Sequence, residues 1–382
     1  MPVTTRWTPS PPEAIEVERV FALGAAVTAT DLPGDRPLPR SLVRAFLTPS
    51  PRERMVLVLA EVSPALPAQA PAAPSPPGEV RAPAPPAHAP ATPALLGEAE
   101  APPLPSSLRA SASAGELVGM AVVGVPKQDN RHLAWLEVQV HPGARRRGIG
   151  QALVEEAASL ARAEGRRELV AHALVGGAGD VFATALGASV ASTEAEGRID
   201  EPVSQLRHWE ELAASARRVA ARAGFALERV EGPCPAHLAA SLAQAKSGMN
   251  DAPTGALDLE PRSTDVAELR AVEASYAAAG VRQYRVLARR SDGQVAGYTE
   301  LLVGGDDPGL GRQEDTTVLA GSRGHRLGLW LKAEMLVWLA AAEPGLRVIQ
   351  TWNDVTNAHM LAVNDLLGSR RVREWQTRVL EI

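Results

Sequence analysis

The chain repeats itself, and the repeat limits what it can fold into more than any other feature. Val138 to Leu153 reads VQVHPGARRRGIGQAL, and Thr317 to Leu331 reads TVLAGSRGHRLGLWL. Glu137 and Asp315, Val140 and Val318, Arg145 and Arg323, and Gly150 and Gly328 each stand 178 positions apart. Gly187 and Gly368 stand 181 apart, so a short insertion lies between. A period this long is a duplicated domain and not a solenoid unit, whose period is about 20 to 50 residues. The length of 382 residues agrees, since one hydrophobic core rarely serves more than about 250 to 300.

Composition narrows the partners. Net charge is −5, so the chain is not broadly basic and nucleic acid is not expected as a partner. Any basic patch is local, which suits a small anion. Cys234 is the only cysteine, so no intrachain disulfide and no cysteine metal site can form, and no metal is expected. The first twenty residues hold no apolar signal region, and no apolar run is long enough to span a membrane. The expected location is the cytoplasm, with no membrane partner. Monomer and homodimer both stay open.

Two strand-like runs, Arg54 to Val62 and Gly115 to Val125, flank a Pro/Ala-rich segment, Pro64 to Pro105. Such a segment can build neither a helix interior nor a central strand, so the pair reads as a hairpin with a swollen loop. A strand ending at Pro142 comes next, then a helix from Ile149 to Glu164 stopped by Gly165, a strand within RRELVAHALV and a short helix before Gly187. An alanine-rich linking helix is expected over His208 to Ala223. The second unit begins with a strand, Phe225 to Val230, and helices near Ala236–Lys246 and Asp265–Ala279. A hairpin then turns at Ser291-Asp292-Gly293. The strand EDTTVLA, a long helix to Ala342, the strand RVIQTWN, a helix before Gly368 and a terminal pair of strands complete it.

The repeated loop carries the chemistry. Arg145-Arg146-Arg147-Gly148-Ile149-Gly150 lies between a strand and a helix N-terminus. There the first amides have no intrahelical partner and the helix dipole is positive. Gly148 and Gly150 allow close backbone approach, and the arginines add charge, so the loop suits phosphate groups. It is not a Walker loop, because Gln151-Ala152 follows Gly150 where Lys and Ser/Thr are required. It is not a dinucleotide fingerprint, because position 153 is Leu where a third glycine is required.

Arg-x-x-Gly-x-Gly after a strand ending in Val140-His141-Pro142 resembles the GNAT superfamily of N-acetyltransferases, and the duplication resembles its tandem, two-domain actinobacterial type. The resemblance covers most of the chain outside the Pro/Ala segment. The fold it implies is α/β, an α+β mixed sheet in two tandem GNAT-like acyltransferase domains. These would span residues 1–206, with the insert at 64–105, and 225–382, joined by the helix 207–224.

The same resemblance implies acetyl-CoA as donor. Its pyrophosphate would lie on Arg145, Arg146, Arg147, Gly148, Ile149 and Gly150, and on the worn copy Arg323, Gly324, His325, Arg326, Leu327 and Gly328. Arg326 stands where the pattern has glycine, which narrows backbone access or adds a cation. Strand amides around Val138 and Val140, and around Thr316 and Val318, would meet the acetyl carbonyl. Asn353, Asn357 and Asn364 would lie along the pantetheine arm. Acetyl transfer to an amine needs a group that takes the ammonium proton and one that faces the developing oxyanion. Glu137 and Asp315 are the base candidates, with Glu314 as the alternative. Family members often carry a tyrosine four residues before the Leu-Gly glycine, but Ala183 and Asn364 stand there. Tyr284 and Tyr298 are other phenols, which the sequence does not place. The loop Lys246 to Gly255 offers Asn250, Asp251 and Thr254 to an acceptor, a small-molecule amine. Those polar groups put catalysis in the C-terminal half. Two further readings stay open: a non-catalytic acyl-CoA-binding or regulatory protein, and an acyltransferase using another thioester donor.

Overall fold

The computed structural model describes residues 3–8, 12–62 and 115–382, so the Pro/Ala-rich segment lies outside it. The first half contains β1 (Val3–Thr8), α1 (Ala14–Asp31), α2 (Arg40–Phe46), β2 (Glu53–Val62), β3 (Glu116–Pro126), β4 (Leu133–Val140), α3 (Ile149–Ala163), β5 (Glu168–Leu174), α4 (Ala178–Ala185) and β6 (Ser189–Asp200). After α5 (Leu206–Arg222) the second contains β7 (Ala226–Glu231), α6 (Ala236–Ala245), α7 (Val266–Ala279), β8 (Val281–Arg289) and β9 (Val295–Gly304). It ends with β10 (Leu310–Val318), α8 (Leu327–Ala342), β11 (Val348–Asp354), α9 (Ala358–Leu366) and β12 (Arg370–Glu381).

All of these strands form one mixed sheet in the order β1-β2-β3-β4-β5-β12-β6-β11-β10-β9-β8-β7. The central strands read as unbroken apolar runs because helices cover both faces. Val56, Val58 and Ala60 pack toward Leu153, Ala157 and Ala161 of α3. The intervening Leu57 and Leu59 meet Val20 and Leu23 of α1. The second half repeats this, with Val286 and Ala288 toward α8 and Leu287 toward Leu238 and Leu242 of α6.

The order shows that the halves exchange their last strands. β6 lies antiparallel to β11, from Asp200↔Val348 to Glu194↔Asp354. β12 inserts between β5 and β6 and pairs with both. The expected terminal pair of strands is therefore one unbroken strand. Arg370 to Glu381 holds no glycine or proline to turn it, and bulges at Arg371/Arg373 and Thr377/Arg378 absorb its register shifts against β6.

Loops cross in the same way. In α2, the Ser41 hydroxyl donates to Asp306 Oδ1 at 2.5 Å and its neighbour Arg40 donates from its amide to Oδ2 at 2.9 Å. In return Asn130 and Glu260 exchange backbone-to-side-chain hydrogen bonds of 2.7 Å each. Asp35 of the first half receives both Arg198 of β6 and Arg373 of β12, which pins the exchanged strands together. The linking helix α5 belongs to the core. Its Trp209, Ala213, Ala216 and Ala220 are buried in the cluster that holds α8, and Trp209 Nε1 donates to Leu367 O at 2.9 Å.

A buried ion cluster braces the second half: Arg285 meets Glu273 at 2.7 Å and Glu300 at 2.6 Å. Cys234 is buried and free, its thiol pushed up by burial. Among the described residues no group of His, Cys, Asp and Glu could hold a metal, and no helix is long and apolar enough to cross a membrane.

Candidate active site

Each Arg/Gly loop holds two left-handed residues, and the halves place their glycines differently. In the first half these residues are Arg146 (φ 62°) and Gly148 (φ 79°). In the second they are Gly324 (φ 86°) and Arg326 (φ 59°), each 178 positions on. The path of the loop is therefore kept, and the worn copy has moved its glycine. Arg326 carries a strain that glycine would not, on the order of 1 kcal/mol or more, and its guanidinium reaches Ser215 of α5 at 3.3 Å.

The first arginine of each loop is a latch. Arg145 donates to both oxygens of Asp31 at 2.7 Å each and to Val140 O at 3.2 Å. Arg323 donates to Asp251 at 2.5 Å and to Val318 O at 3.0 Å. Both tie the loop to its own strand end and to a carboxylate from the helices on the opposite face. Arg146 has no such partner among the described residues and borders open space.

Between the loops the strands part. β4 and β5 pair in parallel only from Leu133–Leu136 to Glu168–Ala171. β10 and β11 pair only from Leu310–Arg312 to Val348–Gln350. Beyond those points each pair diverges and leaves facing amides and carbonyls unladdered. One cavity of about 2240 Å³ runs through both openings. Val138, Val140, Arg145, Arg146, Gly148, Ile149 and Gly150 line it in one half. Thr316, Val318, Arg323, Gly324, Arg326, Leu327, Gly328, Asn353 and Asn357 line it in the other.

Several other sequence candidates fall outside the lining or serve the backbone instead. Arg147 does not reach it. His325 stacks toward Phe225, with ring centroids 5.4 Å apart. Asn250 closes a turn, bonded in both directions to the Arg262 backbone at 2.9 Å. Thr254 Oγ1 points to Leu257 O at 3.5 Å. Asn364 is buried and donates to Asn353 Oδ1 at 2.6 Å, while Asn357 caps α9 by accepting from Met360 N at 3.2 Å. Of the three acceptor-loop candidates only Asp251 lines the cavity, and the Arg323 latch engages it.

The three carboxylates differ in their surroundings. Glu137 faces the cavity, and its hydrogen bond is from Gln139 Nε2 at 2.6 Å. Its side chain is exposed to the open cavity, but the protein that walls the cleft partly desolvates it and raises its pKa; Gln139 and the more distant Arg312 of the other half pull it back only partly. Glu314 is also pushed up by burial, with Arg312 at 2.9 Å opposing. Burial works against the charge on Asp315 too, but Lys246 at 3.1 Å and Tyr298 at 2.7 Å hold it below the usual range. A register shift in β10 between Gln313 and Thr316 sets Glu314 and Asp315 side by side at the cavity wall. Tyr284, by contrast, donates to Glu343 at 2.6 Å and does not line the cavity.

Residues from both halves share the middle of the cavity: His172, Glu194, Arg312, Trp352 and Trp375. The Arg312 guanidinium lies 4.5 Å from the Trp352 ring centroid and 5.4 Å from Phe46 of α2. His172 stands 3.8 Å from Glu194; its side chain is exposed to the cavity, and desolvation by the cavity walls lowers its pKa. Sequence reasoning did not single out Lys246, Arg312 or His172 for the site. It also passed over Gly119 and Gly297, again 178 positions apart. A Cβ on Gly119 would sit 3.0 Å from Ile149 and 3.1 Å from Leu153, and one on Gly297 would sit 2.5 Å from Thr317 O. That glycine spacing was the available signal.

Residues 79–179 match the model of the Acetyltransferase (GNAT) family. A tandem GNAT protein from the clavulanic acid biosynthesis pathway is similar over 100% of this chain and 98% of its own, at 21% identity and a TM-score of 0.68. A GCN5-related N-acetyltransferase from Sphaerobacter thermophilus is similar over 99% and 95%, at 12% identity and a TM-score of 0.55. A glucosamine N-acetyltransferase region of a fungal multi-domain β-N-acetylglucosaminidase is similar over all of this chain and 38% of its own, at 12% identity and a TM-score of 0.55. A search of the curated proteins finds no match to the sequence. The chain therefore has the fold of a tandem GNAT protein, with a mixed sheet and helices on both faces.

Proposed function

We propose that the protein is an acyltransferase that moves an acetyl group from acetyl-CoA to the amine of a small molecule, with the chemistry centred on the N-terminal half. The observation that carries this is the line from the Arg146–Gly150 loop, through the β4–β5 opening, to Glu137. Glu137 is a carboxylate with no cation bound to it among the described residues.

Open amides at the start of α3 and the Arg146 guanidinium hold the donor's phosphates. The unladdered edges of β4 and β5 pair with its amide-bearing arm. An acceptor amine arrives as ammonium and must lose a proton before it can attack. Glu137, its pKa raised by its surroundings and so made a stronger base, takes that proton in its ionised form, directly or through water. Amides along Val138 to Val140 face the carbonyl oxygen as charge develops. The C–S bond then breaks and the thiolate takes up a proton from solvent, since Ala183 offers none. In the C-terminal half Lys246 and Tyr298 already occupy Asp315, which makes it a weak base and reverses the order of the halves suggested by their polar content. The two acyltransferase units are taken as residues 1–206 and 225–382, and the setting as the cytoplasm.

Thiol release from acetyl-CoA, followed across a panel of small amines, tests the reading. Acceleration by at least one amine is expected. Tight binding of acetyl-CoA with no amine accelerating release would make the protein an acyl-CoA binder instead.

A further inference from the structure

Lys332 of α8 stands where α3 has Val154, 178 positions earlier. Both side chains are buried, Lys332 to 5% exposure, and both line the cavity. α3 and α8 start at the phosphate loops and run under the diverging strands, so each residue borders the opening of its own half. That border is a valine in the first half and a primary amine in the second.

Among the described residues nothing pairs with Lys332 Nζ. The carboxylates on the β10–β11 wall of the cavity have other partners: Glu314 meets Arg312, Asp315 meets Lys246, and Asp354 caps Thr356. Burial alone pulls the Lys332 pKa down to about 7. A large fraction is therefore the neutral, nucleophilic amine near neutral pH. A buried lysine without a partner costs stability that a valine would not.

We propose that Lys332 is an acyl acceptor: in the C-terminal half the protein acylates itself, moving the acyl group of a thioester held in the β10–β11 opening onto Nζ. This rests on the reading that the openings hold acyl-CoA. The Nζ lone pair adds to the thioester carbonyl, the C–S bond breaks, and an amide forms. CoA leaves as the thiolate and is protonated by the proton that the nitrogen loses. A half whose Asp315 is occupied needs no base if its acceptor is already neutral. The resulting amide carries no charge and fills the opening, which closes that half to another donor.

The full-length protein is incubated with acetyl-CoA and, separately, with p-nitrophenyl acetate, then digested and mapped by mass spectrometry. One acetyl group on the Lys332 peptide is expected from both donors, in excess over Lys127 and Lys246. It is lost in Lys332→Met, which keeps the volume of the stem. Calorimetry of acetyl-CoA runs alongside. Binding of acetyl-CoA with Lys332 left unmodified overturns the proposal and spares the proposed function. Labelling by p-nitrophenyl acetate with no acetyl-CoA binding overturns both.

Discussion

Lys246 Nζ lies 3.1 Å from Asp315 Oδ2, and Tyr298 donates to the same oxygen at 2.7 Å. The carboxylate at the second half's counterpart of Glu137 is thus held ionised by two donors. Its folded-state pKa is lowered, so the stability it contributes is present above the unfolded pKa and is lost as pH falls through the folded one. Lys246→Met is therefore predicted to be less stable than wild type near neutral pH. That gap narrows in acid, below the usual carboxylate range. Denaturant unfolding at a series of pH values reads this directly, and a gap that stays constant into acid would contradict it.

The latch predicts an effect on donor binding at a distance. Asp31 touches Arg145 through two parallel bonds, the geometry that makes arginine–carboxylate pairs strong. Asp31→Asn should loosen the loop and weaken acetyl-CoA binding by about tenfold, near 1.4 kcal/mol. Calorimetric titration measures the change, and unaltered affinity would mean that the loop stands without its latch.

The paired glycines predict a difference in stability. At Gly119 a methyl group would press hardest on the side chains of Ile149 and Leu153, which can shift, and less closely on Gln139 O at 3.3 Å. At Gly297 it would press on the backbone carbonyl of Thr317 at 2.5 Å, which cannot move without moving β10. Gly297→Ala should cost ~1–3 kcal/mol, and Gly119→Ala less. Equal losses in denaturant unfolding would show that β10 yields as readily as α3.

The 178-residue offset made much of this fold legible. Periodicity located β2 to β5 and β7 to β11, and the helices between them, because each is a local pattern with its own turn signals. β1, β6 and the roles of α1 and α2 went unread. β6 is a polar run, SVASTEAEGRID, whose charges face partners from elsewhere, such as Arg198 on Asp35. The exchange of β6 and β12 could not be read, because either strand could pair with its own half or the other. The Arg/Gly loop between a strand end and a helix start was legible, but not Arg145 as a latch, which depends on Asp31, 114 positions away. Asp315 likewise looked free because Lys246 and Tyr298 reach it only through the fold.

Strand exchange predicts that the halves depend on each other. In a fragment ending at residue 206, β5 loses β12 and β6 loses both neighbours, which exposes long strand edges. That fragment should aggregate alone and become soluble when co-expressed with residues 207–382. Size-exclusion chromatography separates the outcomes, and a monodisperse fragment 1–206 would show that its sheet closes on itself.

Glu137 is the centre of the account. Its raised pKa places the acid limb of kcat/KM above the ordinary carboxylate range, since the base must be ionised to act. The most direct test compares Glu137→Gln with Asp315→Asn at saturating acetyl-CoA. Glu137→Gln is predicted to lower kcat by ~10²- to 10⁴-fold and to abolish the acid limb, while Asp315→Asn retains both rate and limb. Loss of turnover in Asp315→Asn with Glu137→Gln still active would contradict it and return the chemistry to the C-terminal half.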